Sequence, residues 1–182
     1  MEEYAYILDY LAQGLPTGGY AKREPLCYAV GDEEFKLFEI IPKANAVINL
    51  GDRVYIGKDA NLRTQVDHIK RRVGFDELTS AAKAELEFVI LDIVMKDQAR
   101  FIRFYNEAEA ISLRKHMLEE LPGLGKKTLM AILDGRKRGG AFKDFADLGA
   151  RVSLLKGPEK LIVKRVIMEL TDTSLKHYLF IR

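Results

Sequence analysis

The sequence predicts an α+β protein made of a small N-terminal β-barrel, a helical connector and an all-α C-terminal domain. Short apolar runs separated by Gly- and Pro-rich turns fill residues 1–62. Apolar residues then recur at helical spacing. The charge changes as well: residues 1–110 hold fourteen Lys and Arg against nineteen Asp and Glu, whereas residues 111–166 hold thirteen against six, a net of +7. We therefore divide the chain into residues 1–62, 63–110 and 111–182.

Five short strands are predicted in residues 1–62. They are runs of β-branched, aromatic and aliphatic residues at Tyr4–Leu11, Leu26–Val30, Phe35–Ile41, Ala46–Leu50 and Arg53–Ile56. Strong turn residues separate them at Gly14–Gly19, Gly31-Asp32 and Gly51-Asp52. This pattern fits a small closed barrel of the OB or SH3-like kind. The aromatic residues of these strands fit the barrel core better than a base-stacking surface; they are Tyr4, Tyr6, Tyr28, Phe35, Phe38 and Tyr55.

Residues 63–110 are predicted to form a helical connector. Leu78, Ala82 and Leu86 begin an apolar stripe at helical spacing, with Asp76 or Thr79 as the N-cap. The helical pattern runs on towards Tyr105, with room for a break. The basic cluster at 68–72 precedes this stripe, and we expect a solvated face there rather than a phosphate contact.

The clearest motif lies at Leu121–Lys127, within the string LPGLGKKTLMAIL. The sequence predicts a helix before it, carrying Leu113, Met117, Leu118 and Leu121 on one apolar stripe. Pro122 ends that helix because it has no backbone N–H. A second helix follows, which opens with Lys126 and carries Leu129 on its inner face. An apolar residue, Pro, Gly, apolar, Gly and a basic helix start together form the helix-hairpin-helix pattern.

Each position of this motif has a physical role in binding an anion. Gly123 and Gly125 allow backbone angles that a side chain disfavours and let a ligand approach the backbone closely. Leu124 is expected to point inward and lock the turn. The free N–H groups at the start of the second helix, together with its dipole, favour a phosphate. The predicted phosphate contacts are Gly123, Leu124, Gly125, Lys126, Lys127 and Thr128.

Residues downstream extend the pattern to a tandem domain over 111–182. Arg136, Lys137 and Arg138 end the second helix; helix-end electrostatics explain them as well as phosphate contact does, and we keep both readings. Asp144 is expected to cap a third helix, and Gly157-Pro158 begins a last, basic helix. The second hairpin has one glycine where two are expected, which favours a packing role.

These residues resemble the tandem helix-hairpin-helix domains of DNA repair and recombination proteins. That resemblance implies a backbone grip on phosphate, in some members with a bound monovalent cation. The full layout, with FDELTSAAKAEL and ISLRKHMLEELPGLGKK, resembles an uncharacterised archaeal family described as predicted RNA-binding. The order of a barrel and paired hairpins is also similar to the Holliday-junction-binding subunit of bacterial recombination.

Other features argue against an enzyme. Asp134 lacks the context of a glycosylase aspartate, and the chain has no nuclease metal motif, Walker loop, GxSxG or HExxH sequence. His68, His116 and His177 are too far apart in sequence for a zinc-ligand pattern, so no metal or other cofactor is expected. The single cysteine, Cys27, fits a buried position in a reducing compartment. With no apolar run of membrane length, we expect a cytoplasmic protein.

The sequence therefore favours a non-catalytic nucleic-acid-binding protein that holds the sugar–phosphate backbone at 121–127. The archaeal resemblance favours RNA, whereas the hairpin alone favours DNA, including a junction or repair-type target. The alternative is a protein-interaction adaptor, in which the acidic N-terminal half binds a partner protein and the hairpin is only structural.

Overall fold

The computed structural model describes residues 1–16 and 23–181, which fall into two compact units. The first comprises residues 1–89 together with 169–182, and the second comprises residues 90–168. The division into three domains at residues 62 and 110 stays a prediction. Part of the turn predicted at Gly14–Gly19, namely residues 17–19, lies outside the described residues.

The first unit is built on a curled, five-stranded antiparallel sheet. Its strands run in the order β4-β1-β2-β3-β5; they are β1 (Tyr4–Leu11), β2 (Leu26–Gly31), β3 (Leu37–Pro42), β4 (Arg53–Tyr55) and β5 (Val66–Val73). Among the described residues, β4 and β5 are the two edges, so the sheet is a half-barrel instead of the predicted closed barrel. One core cluster joins apolar side chains of all five strands: Ala5, Ile7, Cys27, Ala29, Phe38, Ile40, Val54, Ile56 and Val66.

Three predicted strands are confirmed, a fourth is confirmed over three residues, and one is wrong. The segment predicted as a strand at Ala46–Leu50 forms no strand. A local turn takes its place: the backbone N–H of Asn49 donates to the Asp52 carboxylate at 2.9 Å, and that of Asp52 donates to the Asn49 carbonyl at 3.2 Å. The segment 46–50 is consequently not the hairpin partner of β4, which pairs with β1.

Within this sheet, the strand that the sequence did not reveal is β5, which contains the basic cluster at 68–72. Only its two end residues, Val66 and Val73, are buried. Arg71 donates to the carboxylate of Glu39, which is 1% exposed, at 2.6 and 3.0 Å. This ion pair neutralises a buried charge on β3. Arg71 therefore has a structural role.

The expected burial of the cysteine and of most strand aromatics is confirmed. Tyr6, Tyr28, Phe35 and Phe38 are buried, while Tyr4 and Tyr55 are half-buried and pack edge to face with ring centroids 5.2 Å apart. Cys27 is 1% exposed, and burial raises the pKa of its thiol to about 12.

Within residues 63–110, the predicted helical pattern is confirmed from Ser80 onward, as α1 (Ser80–Lys96) and α2 (Gln98–Glu107), whereas residues 66–73 form strand β5. Thr79 caps α1, since its hydroxyl accepts the N–H of Ala82 at 3.1 Å. Asp97 interrupts the helical run and caps α2. The apolar stripe that begins at Leu78 is buried as expected.

The second unit contains the hairpin region. After α2, the chain forms β6 (Ala110–Ser112), β7 (Lys115–His116), a 3-10 turn (Met117–Glu120), α3 (Lys126–Gly139), α4 (Phe145–Arg151) and the larger part of α5 (Pro158–Thr171). The α-helix predicted before Leu121 is wrong. Strands β6 and β7 pair as a short hairpin whose turn leaves Leu113 fully exposed, and only the 3-10 turn remains helical.

Candidate functional site

The hairpin is a tight turn from Leu121 to Gly125, anchored by two buried leucines and preceded by a capped 3-10 turn. Leu121 and Leu124 are 1% and 6% exposed, which confirms that Leu124 points inward. The Leu124 N–H donates to the Leu121 carbonyl at 3.2 Å and closes the turn. The preceding 3-10 turn is capped by His116, whose Nδ1 accepts the Leu118 N–H at 3.1 Å. Burial and the nearby Arg136 lower the pKa of His116.

The two glycines of the turn differ in backbone conformation. Gly123 has φ of 85°, where side chains are disfavoured, so the turn itself requires glycine. Gly125 has φ −88° and ψ 174°, an extended conformation that any residue adopts. A Cβ atom on either residue would meet nothing within 4 Å. The fold therefore gives no reason for glycine at 125, and the backbone at both positions is open to an approaching ligand.

Gly125 is the N-cap of α3, and it leaves the helix end without a side-chain acceptor. The first backbone bond of the helix runs from the Leu129 N–H to the Gly125 carbonyl at 2.9 Å. Among the hydrogen bonds of residues 1–16 and 23–181, none that the structure shows occupies the N–H of Lys126, Lys127 or Thr128. These free donors lie at the N-terminus of α3, in the geometry that binds anions.

Lys126 and Lys127 occupy the first two positions of α3, and both are exposed. Cations there oppose the positive end of the helix dipole and cost a helix about 0.3–1 kcal/mol each. The first turn of α3 contains no acid that would offset them. This end of the helix is therefore electrostatically unfavourable until an anion binds.

A hollow of about 470 Å³ borders the hairpin, lined by residues 119–125 together with Arg165 and Met168 of α5. Arg165 is 1% exposed and donates to the carbonyl and carboxylate of Glu120 at 3.0 and 3.2 Å. Lys115 also pairs with this carboxylate at 2.5 Å. Arg165 thus ties α5 to the entrance of the hairpin.

The sequence predicts a last, basic helix from Gly157-Pro158, but that prediction did not include the burial of Arg165 within it. A signal was present, since Arg165 stands in the apolar stripe that contains Ile162 and Val166, both fully buried. A lone cation in such a stripe is retained when a polar partner faces it.

The cations at the other end of α3 are largely engaged within the protein. Arg136 donates to the Ala108 carbonyl at 2.9 Å, and Arg138 pairs with Asp134 at 3.1 Å. Lys137 is exposed. Gly140 ends the helix with φ of 71°, as the predicted glycine stop requires.

A second turn, at 152–157, resembles the hairpin in its buried anchors. Val152 and Leu155 are buried, and the Leu155 N–H donates to the Val152 carbonyl at 3.0 Å. The exposed Leu154, however, stands where the hairpin has Gly123, and Lys156 stands where it has Gly125. This turn has no open glycine backbone. Asp144 caps α4 by accepting the Asp147 N–H at 2.7 Å, as predicted.

Comparison with known proteins places this architecture in a single family. The chain matches, over residues 1–182, the model of a family described as protein of unknown function, DUF655. It is 40% identical over 182 residues to the uncharacterised protein MJ0038 of Methanocaldococcus jannaschii, covering 100% of this chain and 80% of that protein. The crystal structure of Af1531 from Archaeoglobus fulgidus has a TM-score of 0.92 and 41% identity, and the match covers 100% of both chains.

Among the described residues, no helix is long and apolar enough to cross a membrane.

Proposed function

Since the chain belongs to the DUF655 family of uncharacterised archaeal proteins, we propose a function for it from its hairpin: it is a non-catalytic nucleic-acid-binding protein. The backbone N–H groups of Gly123, Gly125, Lys126, Lys127 and Thr128 hold a phosphate, and the two lysine side chains pair with it. The predicted contact at Leu124 is left out, because its N–H closes the turn. Such a grip carries no sequence information, because every nucleotide offers the same phosphate. RNA is the favoured target, in line with the resemblance noted in the sequence.

One observation supports this proposal most strongly: the residues at the N-terminus of α3 destabilise the helix when no ligand is bound. The glycine cap offers no acceptor, although its backbone conformation suits Ser or Asp, and two lysines oppose the helix dipole. A bound phosphate reverses each of these effects. It accepts the free N–H groups and neutralises both lysines, and an open glycine lets it come close.

The remaining elements have secondary roles in the proposal. Arg136, Lys137 and Arg138 add long-range attraction, with Lys137 the most available for direct contact because its two neighbours are engaged. We assign the helical part to the tandem helix-hairpin-helix class, with the 3-10 turn Met117–Glu120 instead of an α-helix before the first hairpin. Only this first hairpin binds phosphate in the proposal. The half-barrel, of the OB or SH3-like class, and the acidic residues of 1–110 offer a surface to a partner protein.

The experiment is a binding titration with a labelled structured RNA and a junction DNA across a salt series. Wild-type affinity should fall steeply with salt, because phosphate binding releases counterions. The double variant Lys126→Glu and Lys127→Glu should lose about tenfold or more in affinity. Its thermal stability should stay equal or rise, because acids suit the start of a helix.

The control carries the same charge change at two exposed lysines in residues 1–62, as Lys43→Glu and Lys58→Glu. It should lose only the small affinity that follows from net charge. Absence of binding to both nucleic acids at low salt contradicts the proposal and favours the adaptor function. Stronger binding of the DNA junction than of RNA leaves the grip in place and reverses the choice of target.

A further inference from the structure

The cations of residues 111–166 separate into two groups once their partners are known, and all of these residues are described. Five are engaged within the protein, through ion pairs or hydrogen bonds to carbonyls: Lys115, Arg136, Arg138, Arg151 and Arg165. In the hydrogen bonds and ion pairs that the structure shows, the other eight side chains take no part; they are Arg114, Lys126, Lys127, Lys137, Lys143, Lys156, Lys160 and Lys164. The second group is the charge available to a ligand.

Two members of the second group lie on one face of α5, and we name Lys160 and Lys164 the α5 lysine row. Both are exposed. They are four residues apart, which brings their Cβ atoms to about 6 Å. Met168, four residues further along the same face, lines the hollow beside the hairpin. The row thus begins one helical turn from that hollow and leads away from it along α5.

No hydrogen bond or ion pair that the structure shows uses the side chains of this row. Two lysines at i and i+4 repel each other and weaken a helix slightly. Lys160 also lies in the first turn of α5, where the helix dipole disfavours a cation, although Glu159 in the same turn offsets part of this effect. The positions three and four residues from either lysine hold no acid. The repulsion between the two lysines is relieved when an anion binds to both of them.

The N-terminus of α5 does not supply an alternative anion site. Pro158 opens the helix and has no N–H, and the Lys160 N–H donates to the Gly157 carbonyl at 2.9 Å. Binding at this helix therefore depends on the lysine side chains.

From these observations we propose that the α5 lysine row binds the phosphates that follow the one held at the hairpin, along a single strand. This inference rests on the proposed function, and it extends the footprint from one phosphate to several. Met168 and Lys160 are about 12 Å apart along the helix axis, a distance that spans more than one nucleotide. The ligand is accordingly a continuous strand of several nucleotides. The lysines contact its phosphates and make no base-specific contact.

The test compares the double variant Lys160→Gln and Lys164→Gln with a matched variant, Arg114→Gln and Lys143→Gln. The matched variant loses the same charge from residues 111–166, at exposed positions outside α5. Each variant is titrated with two single-stranded oligonucleotides across a salt series. One oligonucleotide has roughly three nucleotides and the other roughly twelve. With the longer oligonucleotide, the row variant should lose about tenfold in affinity, and its salt slope should fall by about one to two. With the shorter one it should behave like the matched variant.

The outcomes separate the two proposals. If the row variant equals the matched variant on both oligonucleotides while Lys126→Glu with Lys127→Glu still loses about tenfold or more in affinity, the row is refuted and the hairpin function stands. If the wild-type protein binds neither oligonucleotide and no structured RNA or junction DNA, the proposed function has failed and the row fails with it. Circular dichroism of each variant verifies that α5 is intact.

Discussion

The two ends of α3 each carry a cluster of cations, but only one cluster suits the helix. Arg136–Arg138 lie in the last turn, where the helix dipole favours positive charge, and a glycine of positive φ ends the helix there. Lys126 and Lys127 lie in the first turn, where the dipole disfavours them. Charge of the same sign therefore has opposite effects on stability at the two ends of α3. A cation that stabilises a helix needs no ligand to explain it, whereas one that destabilises it does.

The largest effect on stability is expected from Arg151→Ala, a substitution on α4 that acts on the C-terminal end of α3. Arg151 donates to the carbonyls of Gly135 and Gly140 at 2.8 and 2.9 Å, pairs with Asp147 and covers the Phe142 ring. Its loss should cost about 2–3 kcal/mol in urea unfolding, because charged hydrogen bonds to helix-end carbonyls disappear. Arg138→Ala, which removes one exposed ion pair, should cost less than about 0.5 kcal/mol. Equal costs for the two variants would contradict this account of the helix end.

A pair of glycine variants compares the two ends directly. A Cβ meets nothing within 4 Å at Gly140 or at Gly125, so only the backbone distinguishes them. Gly140→Ala should destabilise the protein by about 1–3 kcal/mol, because φ of 71° with ψ of −166° strains a side chain. Gly125→Ala should cost less than about 1 kcal/mol, because its conformation is ordinary. Thermal unfolding of both variants measures this difference, and a larger cost at Gly125 would refute it.

A smaller effect concerns pH, through the cap that leads into the hairpin. His116 Nδ1 accepts the Leu118 N–H, which only the neutral ring can do. Because burial lowers the pKa of His116 below its ordinary 6.5, the unfolded chain takes up a proton more readily than the folded one. The cap contributes its full stability above pH 6.5, and this contribution is lost as the pH falls through the lowered pKa.

The measurement is thermal unfolding from pH 5 to pH 8 in wild type and in His116→Asn, which keeps an acceptor that does not titrate. The variant should lose less stability than wild type on going to pH 5. An identical pH dependence in the variant and in wild type would show that the His116 cap is not the titrating element.

The sequence could predict the elements whose ends are marked by local chemistry. Gly123, Gly140, Asp144 and Pro158 each act within a few residues, and α3, α4 and α5 begin or end near them as expected. The archaeal resemblance is likewise confirmed at the level of the family, while its RNA-binding description stays a prediction.

Elements that depend on distant partners could not be predicted. Strand β5 has a charged surface, and its Arg71 makes sense only beside the buried Glu39 of β3. The turn before Leu121 has the spacing of a helix, yet the pairing of β6 with β7 exposes Leu113 and excludes that helix. Arg165 is explained by Glu120, which lies 45 residues earlier. In each case the deciding contact is made across the fold.

The most direct test of the central claim is Gly125→Ser, measured for stability and for nucleic-acid binding. Serine suits the extended backbone at 125, and its hydroxyl can accept the free N–H groups that we assign to phosphate. We predict a gain of a few tenths of a kcal/mol in stability together with a loss of about tenfold or more in affinity. A variant that is equally or more stable and binds nucleic acid as tightly as wild type would contradict the claim that this helix end holds the phosphate.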